Sequence, residues 1–163
     1  MKTLALLRHA KSSWADPTCH DFERPLNRRG QRDAPRMAQR LVQHLGPSTV
    51  WISPAVRTQA TWALLGAVHP LATTVHHVPE IYEASAEGLL GQLRQAAPAV
   101  GSLVVIGHAP GLPDLTALLT GGPPLAFPTC AFVILRCEVG TWASLAPGCA
   151  TQLHYGYPKD GVD

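Results

Sequence analysis

The chain has 163 residues, of which 46% are hydrophobic and 15% are charged, and its net charge is +2. This length predicts a single domain over residues 1–163, and the composition excludes a disordered chain. No apolar run approaches the roughly 18 residues that cross a membrane, and the apolar N-terminal run lacks the cleavage site of a signal peptide. We therefore expect a cytoplasmic protein that does not associate with a membrane.

The first predicted element is a buried strand at about residues 3–8, which delivers Arg8 and His9 together at its end. A neutral imidazole can attack phosphorus, and a guanidinium can hold phosphate oxygens in a planar fork. The pair therefore indicates phosphoryl chemistry. Taken alone, His9 is explained equally well as a polar residue that closes an edge strand.

A polar loop and a helix follow this strand. The loop runs from Lys11 to Pro25, and we expect it to lie over the strand ends and line a site. Apolar residues at helical spacing predict an amphipathic helix over residues 34–45, with Asn27 as the N-cap of its first turns. Pro35 either kinks this helix or delays its regular part.

Basic residues form a stripe along the same helical segment, namely Arg28, Arg32, Arg36 and Arg40. A solvated face with Asp33 as the local counter-charge is the favoured interpretation, and a docking surface is the alternative. Nucleic acid is not an expected partner because no aromatic residues are interleaved with the arginines.

Further strands are predicted at about residues 48–52, 73–78, 102–107 and 130–136, separated by helical stretches. This alternation predicts an α/β fold with a mainly parallel sheet covered on both faces. Arg57 falls in the first turns of the helix that follows the second strand, and His108 follows the strand that ends at Gly107. Ligands bind at the carboxyl edge of such sheets, so we expect Arg57 and His108 to converge on His9.

The distribution of charge agrees with an anionic substrate. Ten of the 13 Lys and Arg residues lie between Met1 and Arg57, together with only four of the 11 Asp and Glu residues. The half of the chain that carries Arg8, His9 and Arg57 is therefore the basic half.

The cysteines and histidines do not predict a metal site. The four cysteines have no Cys-x-x-Cys spacing, which favours free thiols. The eight histidines show no ligand spacing, and His76 and His77 are adjacent instead of one helical turn apart. We expect no metal and no cofactor.

Several motifs occur in a fixed order, namely Arg8-His9-Ala10, Pro25-Leu26-Asn27-Arg28-Arg29-Gly30, Ser53-Pro54 with Arg57 and Thr61, Pro79-Glu80 and Gly107-His108. This set resembles the histidine phosphatase superfamily, also called phosphoglycerate mutase-like. The string from Arg8 to Trp14 is similar to the SixA-type phosphohistidine phosphatase branch. Ala10 departs from the family, which usually has glycine there.

The resemblance implies a three-layer α/β/α sandwich of the phosphoglycerate mutase-like type. Larger relatives carry an inserted cap, but too few residues separate Arg57 from Glu80 to form one. An open site without a cap favours a bulky substrate, and it argues against a mutase, which must enclose a small one.

The resemblance also implies roles for individual residues. His9 is the nucleophile that becomes phosphohistidine, while Arg8, Arg57 and His108 surround the phosphoryl oxygens. Two further residues implied to bind substrate are Lys11 and Ser12. Glu80 aligns with the general acid of the family, and Glu83, three residues later, is the alternative. No metal is required because the arginines supply the positive charge.

Three functions are compatible with these residues. The first is a metal-independent phosphatase that removes phosphate from phosphohistidine in a protein. The second is a phosphomonoesterase for a small sugar or nucleotide phosphate, and the third is a non-catalytic phosphate-binding module. A binding module has no need of the nucleophile His9, which disfavours the third. We expect a monomer or a weak dimer.

Overall fold

The computed structural model of the protein describes residues 1–68 and 70–159, so residues 69 and 160–163 of the predicted domain lie outside the described part. Within it, six strands form one sheet: β1 (Lys2–Arg8), β2 (Ser48–Ile52), β3 (Ala72–His77), β4 (Ser102–Gly107), β5 (Phe132–Cys137) and β6 (Ala150–Gly156). Their order is β3-β2-β4-β1-β5-β6. The strands β3, β2, β4 and β1 are parallel, whereas β5 is antiparallel to both of its neighbours. The predicted α/β fold with a mainly parallel sheet is confirmed.

Among the described residues, four helices cover this sheet: α1 (Arg28–Val42), α2 (Val56–Val68), α3 (Ala86–Leu93) and α4 (Gly111–Thr120). Between Val56 and Ile81 the described residues form α2, β3 and a short 3-10 turn at Pro79–Ile81. The described residues of that stretch therefore belong to the sheet and its covering helices, in agreement with the prediction that no cap is inserted there. In the described residues no helix is long and apolar enough to cross a membrane.

Alternate residues of the central strands contribute to two separate hydrophobic cores, one on each face of the sheet. The fold is therefore a three-layer sandwich. In β1, Leu4 and Leu6 pack with α3 and α4, whereas Ala5 and Leu7 pack with α1 and α2. All four are at most 1% exposed. Complete burial of a leucine contributes about 1.5–3 kcal/mol, so both faces of β1 anchor the strand whose end carries His9.

The first helix begins where the sequence places its cap but ends earlier than predicted. The Asn27 side chain accepts a hydrogen bond from the Gly30 N–H, and α1 runs to Val42 instead of residue 45. Pro35 is accommodated inside the helix. The buried carboxylate of Asp33 lies 3.4 Å from Arg32 and 4.0 Å from Arg36. Asp33 is thus the counter-charge of Arg32 and Arg36 within the stripe, whereas Arg40 donates to the Tyr157 carbonyl oxygen.

Two glycines permit close backbone approaches that place loops beside the sheet edge. A Cβ atom at Gly30 would lie 2.2 Å from the carbonyl oxygen of Lys11, and one at Gly111 would lie 2.4 Å from that of Ala84. Only glycine allows these contacts without movement of the backbone. The Lys11 segment is thereby held against α1, and the Ala84 segment against the start of α4.

The strand β6 was not predicted. Its residues from Thr151 to His154 are exposed, so the strand lacks the alternation of apolar and polar residues that marks a half-buried strand. It forms by antiparallel pairing with the buried strand β5. Its position at the far edge of the sheet leaves the ends of β1, β2 and β4 unaffected.

Candidate active site

The parallel register of three strands brings the predicted histidines together. Arg8 of β1 pairs with Gly107 of β4, so His9 and His108 follow at the same edge. The His9 N–H donates to the Gly107 carbonyl oxygen at 3.1 Å. The two imidazole rings lie 5.3 Å apart between centroids. Ser53, the residue after β2, donates its N–H to the Ile106 carbonyl oxygen and extends the same edge.

His9 is buried, and its contacts define which ring nitrogen is protonated. Its Nδ1 lies 2.8 Å from the Ala10 carbonyl oxygen, which can only accept, so Nδ1 carries the hydrogen. In the neutral ring, Nε2 therefore has the lone pair, and it faces the Nε–H of Arg57 at 3.3 Å. Burial lowers the pKa of His9 to about 3, with smaller contributions from His108, Arg57 and Arg8. The ring is neutral near pH 7, chiefly because of burial and not because of the arginines.

His108 is held between Ser53 and Arg57. Its Nε2 lies 2.8 Å from the Ser53 hydroxyl, and its Nδ1 lies 3.4 Å from Nη2 of Arg57. Because a guanidinium only donates, Nδ1 accepts and Nε2 carries the hydrogen. Burial, followed by the charge of Arg57, lowers the pKa of His108 to about 4. His108 is therefore a neutral ring that orients Arg57.

The two predicted arginines reach the site from different elements. Arg57 lies in the first turn of α2, is 5% exposed, and points across the strand ends to His9. Arg8 is half-buried at the end of β1, and its Nη1 donates to the Phe127 carbonyl oxygen at 2.9 Å. Its buried Nε has no hydrogen-bond partner within residues 1–68 and 70–159. Burial, and then the charge of Arg57, lowers the pKa of Arg8.

These side chains line a cavity of about 660 Å³, whose other lining residues include Lys11, Ser12, Trp14, Asp21, Arg24, Tyr82, Glu83, Asp114 and Thr129. The predicted binding residues Lys11 and Ser12 are thus beside His9. Glu80 is not among the residues that line this cavity. It faces a second cavity, of about 400 Å³, beside β2 and β3. Of the two carboxylates proposed from the sequence, the structure brings Glu83 into the site.

Sequence reasoning missed a set of loop residues at the mouth of the cavity. The Arg24 guanidinium lies 3.6 Å from the centre of the Trp14 ring and donates to the Ser12 hydroxyl and the Asp21 carboxylate. Trp14 is 70% exposed, whereas Arg24 is 7% exposed. The Tyr82 hydroxyl donates to Asp21 from the opposite side. The polar character of the loop from Lys11 to Pro25 was the available signal, but it did not single out these residues.

No group of three or more His, Cys, Asp or Glu residues in the described part of the chain is arranged to hold a metal ion. The four cysteines are free thiols, and burial raises the pKa of Cys130 and of Cys137 to about 12. These two thiols therefore stay protonated near neutral pH.

An open, mainly parallel α/β sheet that presents neutral histidines and arginines at its carboxyl edge is typical of an enzyme of phosphoryl transfer. A sequence profile of the histidine phosphatase superfamily (branch 1) matches residues 4–101. An uncharacterised protein of Mycobacterium tuberculosis is 30% identical over 164 residues, which cover 94% of this chain and 100% of that protein. The chain belongs to the histidine phosphatase superfamily, and it is a phosphatase.

Solved structures agree with this assignment. A protein described as a candidate SixA phosphohistidine phosphatase of Nakamurella multipartitia superposes with a TM-score of 0.83, at 27% identity and over 96% of both chains. The protein histidine phosphatase SixA in complex with tungstate has the same fold, with a TM-score of 0.83, 24% identity and coverage of 97% of this chain and 98% of that one.

Proposed function

We propose that His9 is the nucleophile of a metal-independent phosphatase and becomes transiently phosphorylated on Nε2. The observation that carries this proposal is the hydrogen bond from His9 Nδ1 to the Ala10 carbonyl oxygen, because it places the lone pair on Nε2 inside the cavity. The low pKa of His9, about 3, keeps that lone pair free of a proton at neutral pH. A protonated imidazole has no lone pair with which to attack phosphorus.

In the first step, His9 Nε2 attacks phosphorus in line with the leaving group. The new N–P bond forms as the bond from phosphorus to the leaving nitrogen or oxygen breaks. The leaving group takes the electron pair of the broken bond and a proton, which comes from solvent or from a carboxyl group of the cavity. Arg8 and Arg57 hold the equatorial oxygens, where negative charge is concentrated. The positive charge that a metal supplies in other phosphatases comes here from these guanidiniums.

In the second step, water attacks the phosphoryl group on His9. The N–P bond breaks, its electron pair returns to Nε2, and one proton of the water passes to solvent or to a basic group of the site. Inorganic phosphate leaves, and His9 is again neutral. The backbone N–H of Ala10 donates to the Thr61 hydroxyl at 2.9 Å, which anchors the residue beside His9 to α2.

The substrate that we favour is phosphohistidine in a protein. We propose that this protein cleaves it as a single domain. The cavity opens to solvent beside Trp14, which is 70% exposed, so a side chain on a folded partner can reach His9. Transfer from a substrate imidazole to His9 exchanges one N–P bond for another. The similarity to the Nakamurella protein supports the same substrate class.

Hydrolysis of a small phosphomonoester is the second candidate, and the position of Glu83 favours it. An alkoxide is a poor leaving group and needs a proton in the transition state, whereas an imidazole needs little help. Glu83 supplies a carboxyl group in the lining of the cavity.

A labelling experiment tests the proposal. Brief exposure to a ³²P-phosphohistidine protein should leave an acid-labile, base-stable phosphoryl group on His9, and His9→Ala should abolish both label and turnover. His154→Ala is the matched control, because His154 stacks on His44 outside the cavity. Label on Ser12, Ser13 or a cysteine would refute the mechanism. A comparison of kcat/KM between the phosphohistidine protein and alkyl phosphates separates the two substrate classes.

A further inference from the structure

The carboxylate of Asp21 joins three side chains of the cavity. Its Oδ2 accepts hydrogen bonds from Arg57 Nη2 at 3.0 Å and from the Tyr82 hydroxyl at 2.6 Å. Its Oδ1 accepts from Nε and Nη2 of Arg24 at 3.2 Å and 3.1 Å. The main-chain oxygen of Asp21 also accepts from Arg57 Nη1, at 2.6 Å. Two separate acceptors of one residue therefore fix the orientation of the Arg57 guanidinium.

A carboxylate in this position opposes the binding of an anion. The cavity is lined by four basic side chains, Arg8, Lys11, Arg24 and Arg57, and by three acidic ones, Asp21, Glu83 and Asp114. The hydrogen bond from Tyr82, followed by those from Arg57 and Arg24, lowers the pKa of Asp21 to about 2. Asp21 is therefore charged at neutral pH, and it cancels part of the field that attracts a phosphoryl group.

The benefit of Asp21 must therefore lie in geometry. Arg57 donates its Nε–H toward His9 Nε2 at 3.3 Å and its Nη2 toward His108 at 3.4 Å. These directions require the guanidinium plane to be held across the strand ends. Without the carboxylate, His9, His108 and the main-chain oxygen of Asp21 remain as partners of Arg57. Of these only His108, at 3.4 Å, contacts Nη2, so this nitrogen loses its shorter contact, at 3.0 Å.

We infer that Asp21 is a positioning residue that aligns Arg57 with His9 at the cost of affinity for the phosphoryl group. The inference rests on the proposed function of His9 and adds a residue outside the motifs that point to it. Tyr82 and Arg24 act in turn on Asp21, because they hold its carboxylate in place. Alignment of a charge donor with the reacting atoms affects kcat strongly, whereas a nearby negative charge mainly affects ground-state binding.

The distinguishing consequence is that kcat and KM fall together. Asp21→Asn keeps the size of the side chain but removes its charge. Because Arg24, Arg57 and Tyr82 all donate to Asp21, the amide N–H group of the variant faces a donor in place of an acceptor. We expect kcat to fall by about 10- to 100-fold, as for loss of a preorganised contact, while KM falls severalfold. The dissociation constant of orthophosphate, measured by calorimetry, should also fall severalfold. Tyr82→Phe should change kcat in the same direction by a smaller factor.

The matched control is Asp16→Asn, which makes the same change of charge in the same loop. Among the contacts described, the side chain of Asp16 bonds only to Thr18; Asp16 is solvent-exposed and does not line the cavity. It should leave kcat and KM for p-nitrophenyl phosphate within about twofold, the range of ordinary surface changes. In an Arg57→Ala background, Asp21→Asn should cause no further loss of kcat, because Asp21 acts through Arg57.

A spectroscopic measurement separates this inference from the proposed function. The measurement is the NMR signal of the Arg57 Nε–H group, which is assigned by its absence in Arg57→Lys. The signal should be sharp in the wild type and in Asp16→Asn, and in Asp21→Asn it should be averaged over several orientations of the guanidinium. An unchanged signal in Asp21→Asn overturns the inference, as does a kcat within twofold of wild type or a rise in KM and in the phosphate dissociation constant. Absence of turnover in the wild-type protein would instead contradict the proposed function.

Discussion

Thr61 connects the segment that follows His9 to the helix that carries Arg57. Its hydroxyl oxygen accepts a hydrogen bond from the Ala10 N–H at 2.9 Å, and the same hydroxyl donates to the Arg57 carbonyl oxygen at 2.7 Å. Thr61 is 1% exposed and Ala10 is fully buried. Water therefore cannot replace the acceptor that Thr61 provides to Ala10, which makes the hydroxyl necessary for both stability and alignment.

Thr61→Val should lower the free energy of unfolding by about 1–3 kcal/mol, because it leaves the buried Ala10 N–H without an acceptor. The kcat should fall as well, since His9 adjoins Ala10. Thr116→Val is the control: Thr116 is also buried, but its hydroxyl donates to the Leu112 carbonyl oxygen within α4. Urea denaturation and steady-state kinetics measure both effects. Equal losses of stability in the two variants would show that the Ala10 contact is unimportant.

Much of the site could be predicted because it depends on strand ends. The apolar runs that precede His9, Ser53 and His108 are short and continuous, and parallel pairing places their carboxyl ends together. The cap at Asn27 was equally local, because an N-cap depends on a contact three residues away.

The remaining features depend on contacts between distant segments. In the sequence, Asp21 is separated from Arg57 by 36 positions and from Tyr82 by 61. No local pattern therefore predicts these contacts. The choice between Glu80 and Glu83 depends on the path of one turn, in which Glu83 has a φ of 57°. A positive φ is uncommon for a residue other than glycine, and nothing in the sequence around Glu83 signals it.

Loss of either predicted arginine should reduce catalysis without unfolding the protein. Arg57→Ala and Arg8→Ala should each lower kcat by about 100- to 1,000-fold, the scale for removal of one preorganised donor. The corresponding lysine variants should remain impaired because an ammonium group cannot form the planar fork. Arg136→Ala is the control, since Arg136 is exposed and pairs with Glu138 outside the cavity. Activity within a fewfold of wild type for either alanine variant would exclude that arginine from the chemistry.

Stability should decrease as the pH falls from 6.5 because His9 is buried and His108 is partly buried, and both rings are neutral. The pKa of His9 falls from 6.5 to about 3, and that of His108 to about 4. The unfolded chain binds protons below pH 6.5 that the folded protein does not, so this contribution is complete above pH 6.5 and is lost toward pH 3. For His9 alone, the loss between pH 7 and pH 4.5 is about 2.5 kcal/mol.

Urea denaturation at pH 7 and at pH 4.5 tests this dependence. His9→Asn should lose less stability between the two pH values than the wild type does, because asparagine does not titrate. The interval lies above the range in which Asp21, with a pKa of about 2, affects stability. Identical pH dependence in the wild type and in His9→Asn would show that burial does not hold His9 neutral.

Glu83 should be the proton donor for substrates with poor leaving groups. Glu83→Gln should slow hydrolysis of an alkyl phosphate by at least about 100-fold, the lower range for general acid catalysis, because the departing alkoxide needs a proton. The same variant should have a much smaller effect on an aryl phosphate or a phosphohistidine protein. Glu80→Gln is the matched control, because Glu80 lies three residues earlier and lines the other cavity. Its kinetics should equal those of the wild type on every substrate.

The pattern across substrates distinguishes a proton donor from a residue that only shapes the site. A proton donor affects each substrate according to how much its leaving group needs protonation, so the losses should follow the pKa of the leaving group. An equal loss on the alkyl phosphate, the aryl phosphate and the phosphohistidine protein would show that Glu83 positions the site instead. A loss of activity confined to Glu80→Gln would assign the role of general acid to Glu80. That role would require the turn at Pro79–Ile81 to move toward His9 during the reaction.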